Sequence, residues 1–304
     1  MRATGNLIKR NIMIFMRDRG RVFFSVLSML IILGLMILFL GNMNSRDIVA
    51  ALEELGGVRD AEADKANADY LILLWTLAGI FVSNAVTVTM TAMGSMVEDE
   101  ASRRLASFYV APVKRLYIAL GYIFSAWFIG MIMCLVTLAA AQGYMALTGL
   151  VPLTRTACLQ LFGMIALNTF LYAAIAYLIA LFVRSVGAWS GLLTVIGTLV
   201  GFVGGIYLPM AALPEKVAAV LKCLPVLHGA AMMRGVCTAE AVETTFAGLP
   251  SEAVEVFQES MGITVVMGDG PVSFQAQAGY LFALGIVVIA VAAVISRKRS
   301  LYDR

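Results

Sequence analysis

The chain has 304 residues, of which 61% are hydrophobic and only 13% are charged, with a formal net charge of +3. This balance lies far from the average of soluble globular domains and excludes that class. The single histidine and four cysteines show no zinc or thioredoxin spacing, which argues against a metal or redox site of those kinds. The composition is that of an integral membrane protein.

Six stretches of the sequence contain no Asp, Glu, Lys or Arg. They are 22–41, 70–94, 116–147, 156–183, 185–214 and 276–296. Each reaches the roughly 20 residues that a helix needs to cross about 30 Å of hydrocarbon. Because backbone groups find no water in that layer, each run must be helical. We therefore predict an all-α fold with six transmembrane helices in a single domain, taking 185–208 as the fifth span.

The basic residues predict the orientation of these spans. Segments 1–21, 95–117, 183–184 and 297–304 carry 15 of the 22 Lys and Arg residues, whereas acidic residues concentrate in the intervening loops. Cytoplasmic loops are enriched in Lys and Arg, so both termini are predicted to be cytoplasmic in a multi-pass plasma membrane protein. A secretory signal peptide is the competing interpretation of the N-terminus. The first apolar run is longer than a signal h-region and favours a retained span.

The segment ahead of the first span, within 1–21, has helical periodicity. Ile8, Ile12, Phe15 and Arg19 share one stripe, which predicts a helix lying in the inner membrane surface. The alternative is a basic flank that only fixes orientation.

Residues 96–115, between the second and third spans, carry a group of charges. On a helical wheel Ala101, Leu105, Phe108 and Tyr109 share one arc, and the charged side chains occupy the other. This pattern predicts an amphipathic cytoplasmic helix that begins with acidic residues, where the helix dipole favours negative charge, and ends at Pro112. The alternative is a loop whose basic residues merely hold topology.

Uncharged polar residues inside the spans are candidates for a substrate pathway. They are Asn84, Thr87 and Thr91 in the second span, Asn168 in the fourth, and Thr194 and Thr198 in the fifth. A structural role is equally open, since Thr hydroxyls bond back to their own helix and Asn can join two helices. In the fifth span Gly197, Gly201 and Gly205 form a small face that predicts close helix packing within the chain or between chains.

Three prolines follow the fifth span, at Pro209, Pro214 and Pro225, and each interrupts a helix. The segment between them is too apolar for a free loop and too charged for a seventh span, which predicts a re-entrant outer hairpin within 209–275. His228 has no partner histidine and is assigned a packed or interfacial role rather than a metal site. A disulfide between Cys223 and Cys237 stays open.

Catalytic motifs are missing from the sequence. It contains no phosphate-binding loop, Gly-rich dinucleotide turn, H-E-x-x-H or G-x-S-x-G pattern, so an enzyme built on those mechanisms is not expected. None of the six apolar runs contains an acidic residue, which disfavours an ion-coupled carrier.

The chain resembles the membrane subunits (permeases) of type II ATP-binding cassette (ABC) exporters. The resemblance is carried by "RDRG" before the first span, by "VAPVKR" with its following "ALGY", and by "YLPMAALPEKVAAVLKCLPVLHGAAMMRG". It implies that the charged helix is a coupling helix docked on an ATPase subunit and that the last block is the re-entrant hairpin. The family often has an acid, one residue and a glycine before the leucine. Here Ala101, Ser102 and Arg103 stand there, leaving Glu98 and Glu100 as the candidate acids.

The resemblance also implies site residues and partners. The coupling residues are Glu98, Asp99, Glu100, Arg103, Arg104, Leu105, Phe108, Tyr109 and Pro112. This chain is expected to bind no metal or cofactor, while ATP and Mg bind a separate cytoplasmic ATPase subunit. A second permease copy or paralogue and membrane lipid are the other expected partners, and nucleic acid is not.

The expected function is that of an exporter half moving a lipid-like, peptide or drug-like substrate outward. Two alternatives are kept: a non-transporting immunity or sensor protein with the same fold, and an ion-coupled carrier.

Overall fold

The computed structural model describes residues 2–35, 41–56, 60–105, 114–204, 209–268 and 270–298. The described elements are almost all helices, so the all-α prediction is confirmed. The helices are α1 (Arg2–Arg17), α2 (Arg19–Leu35), α3 (Gly41–Gly56), α4 (Ala61–Ala101), α5 (Arg115–Thr148), α6 (Arg155–Ala180), α7 (Val186–Val203), α8 (Glu215–Lys222), α9 (Pro225–Cys237), α10 (Ala239–Thr245), α11 (Ser251–Ser260) and α12 (Phe274–Lys298). A 3-10 turn (Met210–Ala212) precedes α8. Strands β1 (Val266–Met267) and β2 (Gly270–Pro271) form a small antiparallel hairpin.

Five described helices, α4 to α7 and α12, are long and apolar enough to cross a membrane. The predicted first span corresponds to α2, of which 17 residues are described, and its residues 36–40 lie outside the described part. The fifth predicted span ends in residues 205–208, which are also outside it. The helices thus follow the apolar runs of the sequence.

Helix α4 is the centre of the bundle. It packs against α3, α5, α6, α7 and α9, and 89% of its most apolar 18-residue stretch is buried. It begins well before the predicted span at residue 70, because the carboxylate of Asp60 caps it by accepting hydrogen bonds from the backbone N–H groups of Glu62 and Ala63 at 3.0 and 3.3 Å. Glu62 and Asp64 in its first turn suit the positive end of the helix dipole. Charged residues therefore extend this helix beyond its apolar run.

Helices α8 and α9 occupy the segment predicted to be a hairpin, and the 84° bend between them fits either a re-entrant hairpin or a broken span. Pro209 precedes the 3-10 turn, Pro214 caps α8 and Pro225 is the first residue of α9, so each proline stands where a missing N–H costs least. We call the end of the bundle that carries this hairpin the hairpin end, and the opposite end, where α1 lies, the basic end.

Helix α9 lies antiparallel to α6. Its residue Gly229 approaches Asn168, midway along α6, and farther along α9 Met232 and Val236 share a cleft of about 430 Å³ with the preceding α6 residues 160–167. The start of α9 thus packs beside the middle of α6.

The two cysteines that flank α9 are both free. Cys223 precedes the helix and Cys237 is its last residue, so about 20 Å of helix separates them at 1.5 Å per residue. A disulfide requires Cα atoms within about 7 Å. The open question of a disulfide between Cys223 and Cys237 is answered in the negative.

Candidate functional site

A buried carboxylate joins three helices at the basic end. Asp99, near the end of α4, has only 2% of its side chain exposed. Arg10 of α1 binds it through two hydrogen bonds, Nη1 to Oδ2 at 2.6 Å and Nη2 to Oδ1 at 2.7 Å. Tyr122 of α5 donates its hydroxyl to Oδ2 at 2.7 Å. One carboxylate therefore fixes α1, α4 and α5 to one another.

Helix α1 reaches this carboxylate because its inner face packs on α5. Leu7, Asn11 and Phe15 are buried at successive turns, and Asn11 donates to the Ser125 hydroxyl at 3.1 Å. Leu7 lies against Gly121, where an added Cβ would be 2.6 Å from the leucine Cδ2. Glycine is thus needed for this close approach.

The buried stripe of α1 is shifted by one position from the predicted one, since Leu7 and Asn11 are buried in place of Ile8 and Ile12. Ile8 and Ile12 are half-buried, Phe15 is buried as expected, and Arg19 is exposed. The physical reason is that Asn11, a polar residue, finds a buried partner on α5, which hydrophobicity alone does not reveal.

A second ion pair flanks the buried carboxylate. Glu98 pairs with Arg21, whose Nε also binds Asp18 at 2.9 Å. This pair is more open to solvent, since the Glu98 side chain is 39% exposed.

The hydrogen bonds to Asp99 raise the pKa of Arg10 above its ordinary value, so the arginine stays charged. We call Arg10, Arg21, Glu98, Asp99 and Tyr122 together the clamp.

The clamp changes the interpretation of the predicted coupling acids. Glu98, Asp99 and Glu100 lie in the last turn of α4 rather than in the first turn of a separate helix starting at residue 96. Acids at a helix C-terminus face an unfavourable dipole, which Arg10 and Arg21 offset for two of them. Asp99 is therefore engaged inside the chain rather than exposed for a partner.

Beyond α4 the chain turns sharply. Ser102 caps the helix, and Arg103 adopts the left-handed conformation with φ of 58°, which is uncommon for a residue other than glycine. The Arg104 side chain is 69% exposed and lies 3.9 Å from Asp99, while Leu105 is buried. Phe108, Tyr109 and Pro112 fall in 106–113, outside the described residues. Of the predicted coupling residues, Arg103 and Arg104 present exposed charge.

Two predicted pathway residues are buried between helices. Asn84 donates to Thr137 at 2.9 Å and so links α4 to α5. Asn168 is fully buried, donates to the Met164 carbonyl at 3.0 Å, and places its Oδ1 against Gly229. These contacts favour the structural alternative for both asparagines.

The four threonines remain accessible. Thr87 and Thr91 are half-buried on α4, and their hydroxyls donate to carbonyls one turn earlier, at 2.9 and 2.8 Å. Thr194 and Thr198 are exposed on α7 and bond in the same way at 3.1 and 3.0 Å. The hydroxyl protons are thus bonded within their own helices, and the four side chains stay at least partly accessible.

Comparison with known proteins identifies the family. The family model of ABC-2 family transporter proteins matches residues 42–294, which is most of the chain. The chain belongs to the ABC-2 family. A search of curated proteins found no match. Family membership makes the ABC-2 chain a membrane-spanning component of an ABC transporter and agrees with the permease subunits of type II systems, which associate with an ABC ATPase.

The small face of α7 in this ABC-2 chain lies partly away from the rest of the bundle. An added Cβ at Gly197 would meet nothing within 4 Å, and only 17% of the 18-residue helix α7 is buried. Gly201 is buried within the chain, and Gly205 lies outside the described residues. The face therefore has one side packed and one side open.

Sequence reasoning missed three residues of the ABC-2 chain that the structure makes prominent: Arg10, Tyr122 and Arg234. The signal for Arg234 is its position, since it is a lone cation in the apolar helix α9. His228 is buried, with Nε2 at 2.9 Å from the Lys222 carbonyl oxygen and its ring against Tyr280, a packed role. The described residues hold no group of side chains suited to a metal ion.

Proposed function

We propose that this chain is the membrane-spanning half of an ATP-driven exporter. It moves a lipid-like, peptide or drug-like substrate outward by alternating access in the plasma membrane, with both termini in the cytoplasm. ATP and Mg bind a separate cytoplasmic ATPase subunit. The observation that carries the proposal is the clamp, because its buried carboxylate ties the end of α4, which leads into 106–113, to α1 and α5.

The clamp supports a mechanical role for the basic end. A force applied at 106–113 reaches α4 directly, because α4 ends five residues earlier, and reaches α1 through Arg10. Helix α4 is the most buried span and contacts most of the bundle, so its displacement moves other helices with it. Exposed Arg103 and Arg104 supply charge for docking on a partner, which sets specificity and orientation.

The exposed face of α7 supports pairing with a second permease. Ser190, Gly191, Thr194 and Thr198 lie exposed on it, an arrangement that favours close helix approach in membranes. Helix α4 packs against α7 and carries Thr87 and Thr91. A pathway between two copies would be lined by these hydroxyl and apolar groups.

Phe108→Ala is expected to weaken ATPase binding about 30-fold and to reduce ATP-driven transport, because a buried aromatic anchor is worth roughly 2 kcal/mol or more at an interface. The measurement uses proteoliposomes containing the chain and the ABC ATPase that copurifies with it. The probes are a fluorescent phospholipid, rhodamine 6G and a labelled apolar peptide. Phe162→Ala, at an exposed aromatic of α6, is the control and should leave ATPase binding unchanged.

Three outcomes would contradict this proposal. Normal ATPase binding and transport by Phe108→Ala would reduce 106–113 to a topogenic loop. Transport that follows a proton or sodium gradient and ignores ATP would indicate an ion-coupled carrier. Binding of a probe without any transport or ATPase stimulation would indicate a sensor or immunity protein.

Gly197→Leu is expected to leave the fold of a single chain intact but to lower the fraction of paired permeases at least tenfold. Its side chain would extend into open space at the proposed interface. Gly201→Leu, at a buried position of the same helix, should instead lower stability. Cross-linking in native membranes, compared with thermal stability in detergent, separates the two effects. Equal pairing by Gly197→Leu and the unaltered chain would exclude this face as the interface.

A further inference from the structure

Arg234 of α9 is fully buried at the hairpin end. It joins α9 to α4, to the end of α7 and to the segment around Gly262. Its guanidinium carbon lies 4.3 Å from the centre of the Trp75 ring of α4, a cation–π contact. Nη2 donates to the Gly204 carbonyl at 2.8 Å, and Nη1 donates to the Gly262 carbonyl at 3.3 Å. Trp75 is itself fixed by a hydrogen bond from Nε1 to the Met261 carbonyl at 2.8 Å.

The surroundings of Arg234 are shaped to hold the guanidinium. Gly262 has φ of 63°, a conformation that other residues rarely adopt. An added Cβ there would lie 3.1 Å from Nη1 of Arg234 and 2.9 Å from Cγ of Met210. The backbone can therefore approach the arginine only because this position is glycine.

The hydrogen bond from Arg234 to the Gly204 carbonyl lies at the end of a helix, because Gly204 is the C-cap of α7. The last carbonyls of a helix have no partner within the helix and carry partial negative charge, so a cation donating to them caps the helix. Arg234 thus supplies the cap of span five from a different helix, the re-entrant α9.

Helix α7 packs mainly on α4, along one face. Only 17% of this helix is buried, compared with 89% of the most apolar 18-residue stretch of α4. At the basic end its Trp189 packs on Gly94 of α4, where an added Cβ would lie 3.2 Å from Nε1. At the hairpin end Val200 and Gly201 are buried and Gly204 receives the arginine. Helix α9 contacts α4 through Trp75 and α6 through Gly229.

We propose that Arg234 is a positioning residue that caps span five from the re-entrant helix and so fixes the hairpin end of α7 against α4 and α9. Release of the Gly204 carbonyl is then the local step that frees this end of the helix. That the freed end opens a transport pathway rests on the proposed function; the cap itself does not.

Hydrogen–deuterium exchange of the purified chain in nanodiscs tests the cap without ATP or substrate. Arg234→Met keeps the length of the side chain and removes its donors, and it should speed exchange of the amides of 200–204 at least tenfold while 189–193 stay protected. Arg234→Lys retains one cation without the planar fork, and it should give a smaller increase at the same amides. Lys222→Met, in the same hairpin, removes a cation that pairs with Glu259 at 3.4 Å and should leave α7 unchanged.

Two exchange results would overturn the proposal. One is unchanged exchange protection of the amides of 200–204 in folded Arg234→Met. If Arg234→Met does not fold, the same result in Arg234→Lys decides. The other is faster exchange spread equally over α4, α6 and α7, which would make Arg234 a general stabiliser. A parallel transport assay with the ATPase keeps the two proposals apart. Absence of ATP-driven transport by the unaltered chain would count against the proposed function alone, since the exchange data still decide the cap.

Discussion

Asp99→Ala is expected to lower the free energy of unfolding by about 3 to 5 kcal/mol. Removing one partner of a buried ion pair leaves the other charge without compensation. Arg10 would lose two short hydrogen bonds, and the buried Tyr122 hydroxyl would lose its acceptor. Because the Arg10 side chain is 30% exposed and recovers some hydration, the lower half of this range is expected. SDS titration of the purified chain in mixed micelles measures the change.

Glu98→Ala is the matched control for Asp99→Ala. It removes the neighbouring acid of the same helix turn, but its pair with Arg21 is partly exposed and should contribute only about 0 to 1 kcal/mol. Asp99→Asn should fall between the two, since the amide oxygen still accepts from Tyr122 while the charge is lost. Equal losses from Asp99→Ala and Glu98→Ala would show that burial at the clamp adds nothing, contrary to the structure.

The membrane spans follow from the sequence because their cause is local. A run of about 20 apolar residues has no alternative to a helix in hydrocarbon, so α4 to α7 and α12 lie where the uncharged runs predict them. The ends of the helices are less local. Asp60 caps α4 ahead of the apolar run, and α4 continues through Glu98 and Asp99 because distant arginines compensate the acids.

The candidate sites depend on contacts that sequence spacing does not encode. Arg10 and Asp99 are 89 positions apart, and Asn84 and Thr137 are 53 apart. Periodicity identified Asn84 and Asn168 as polar residues within spans, but it could not decide between a pathway and a helix contact. That decision depends on which helix faces the side chain. The exposed Thr194 and Thr198 show the opposite result from the same kind of pattern.

Gly229→Ala is expected to destabilise the chain by about 1 to 3 kcal/mol through overpacking. An added Cβ at this position would lie 2.1 Å from Oδ1 and 3.1 Å from Cγ of Asn168. Asn168 cannot easily move aside, because it is fully buried and its amide donates to the Met164 carbonyl. Helix propensity alone would favour alanine over glycine by about 1 kcal/mol, so the sign of the measured change decides which effect wins.

Gly235→Ala and a compensating substitution make the Gly229→Ala prediction specific. Gly235 lies farther along α9, and an added Cβ there meets nothing within 4 Å, so Gly235→Ala should be neutral or slightly stabilising. Asn168→Ala removes the atoms that clash, so the Gly229→Ala/Asn168→Ala double variant should be more stable than Gly229→Ala alone, with a coupling energy of about 1 to 3 kcal/mol. The same SDS titration measures the unaltered chain and the four variants. If the double variant is no more stable than Gly229→Ala, helix α9 does not pack on α6 at this point, and Asn168 is again a candidate for the pathway.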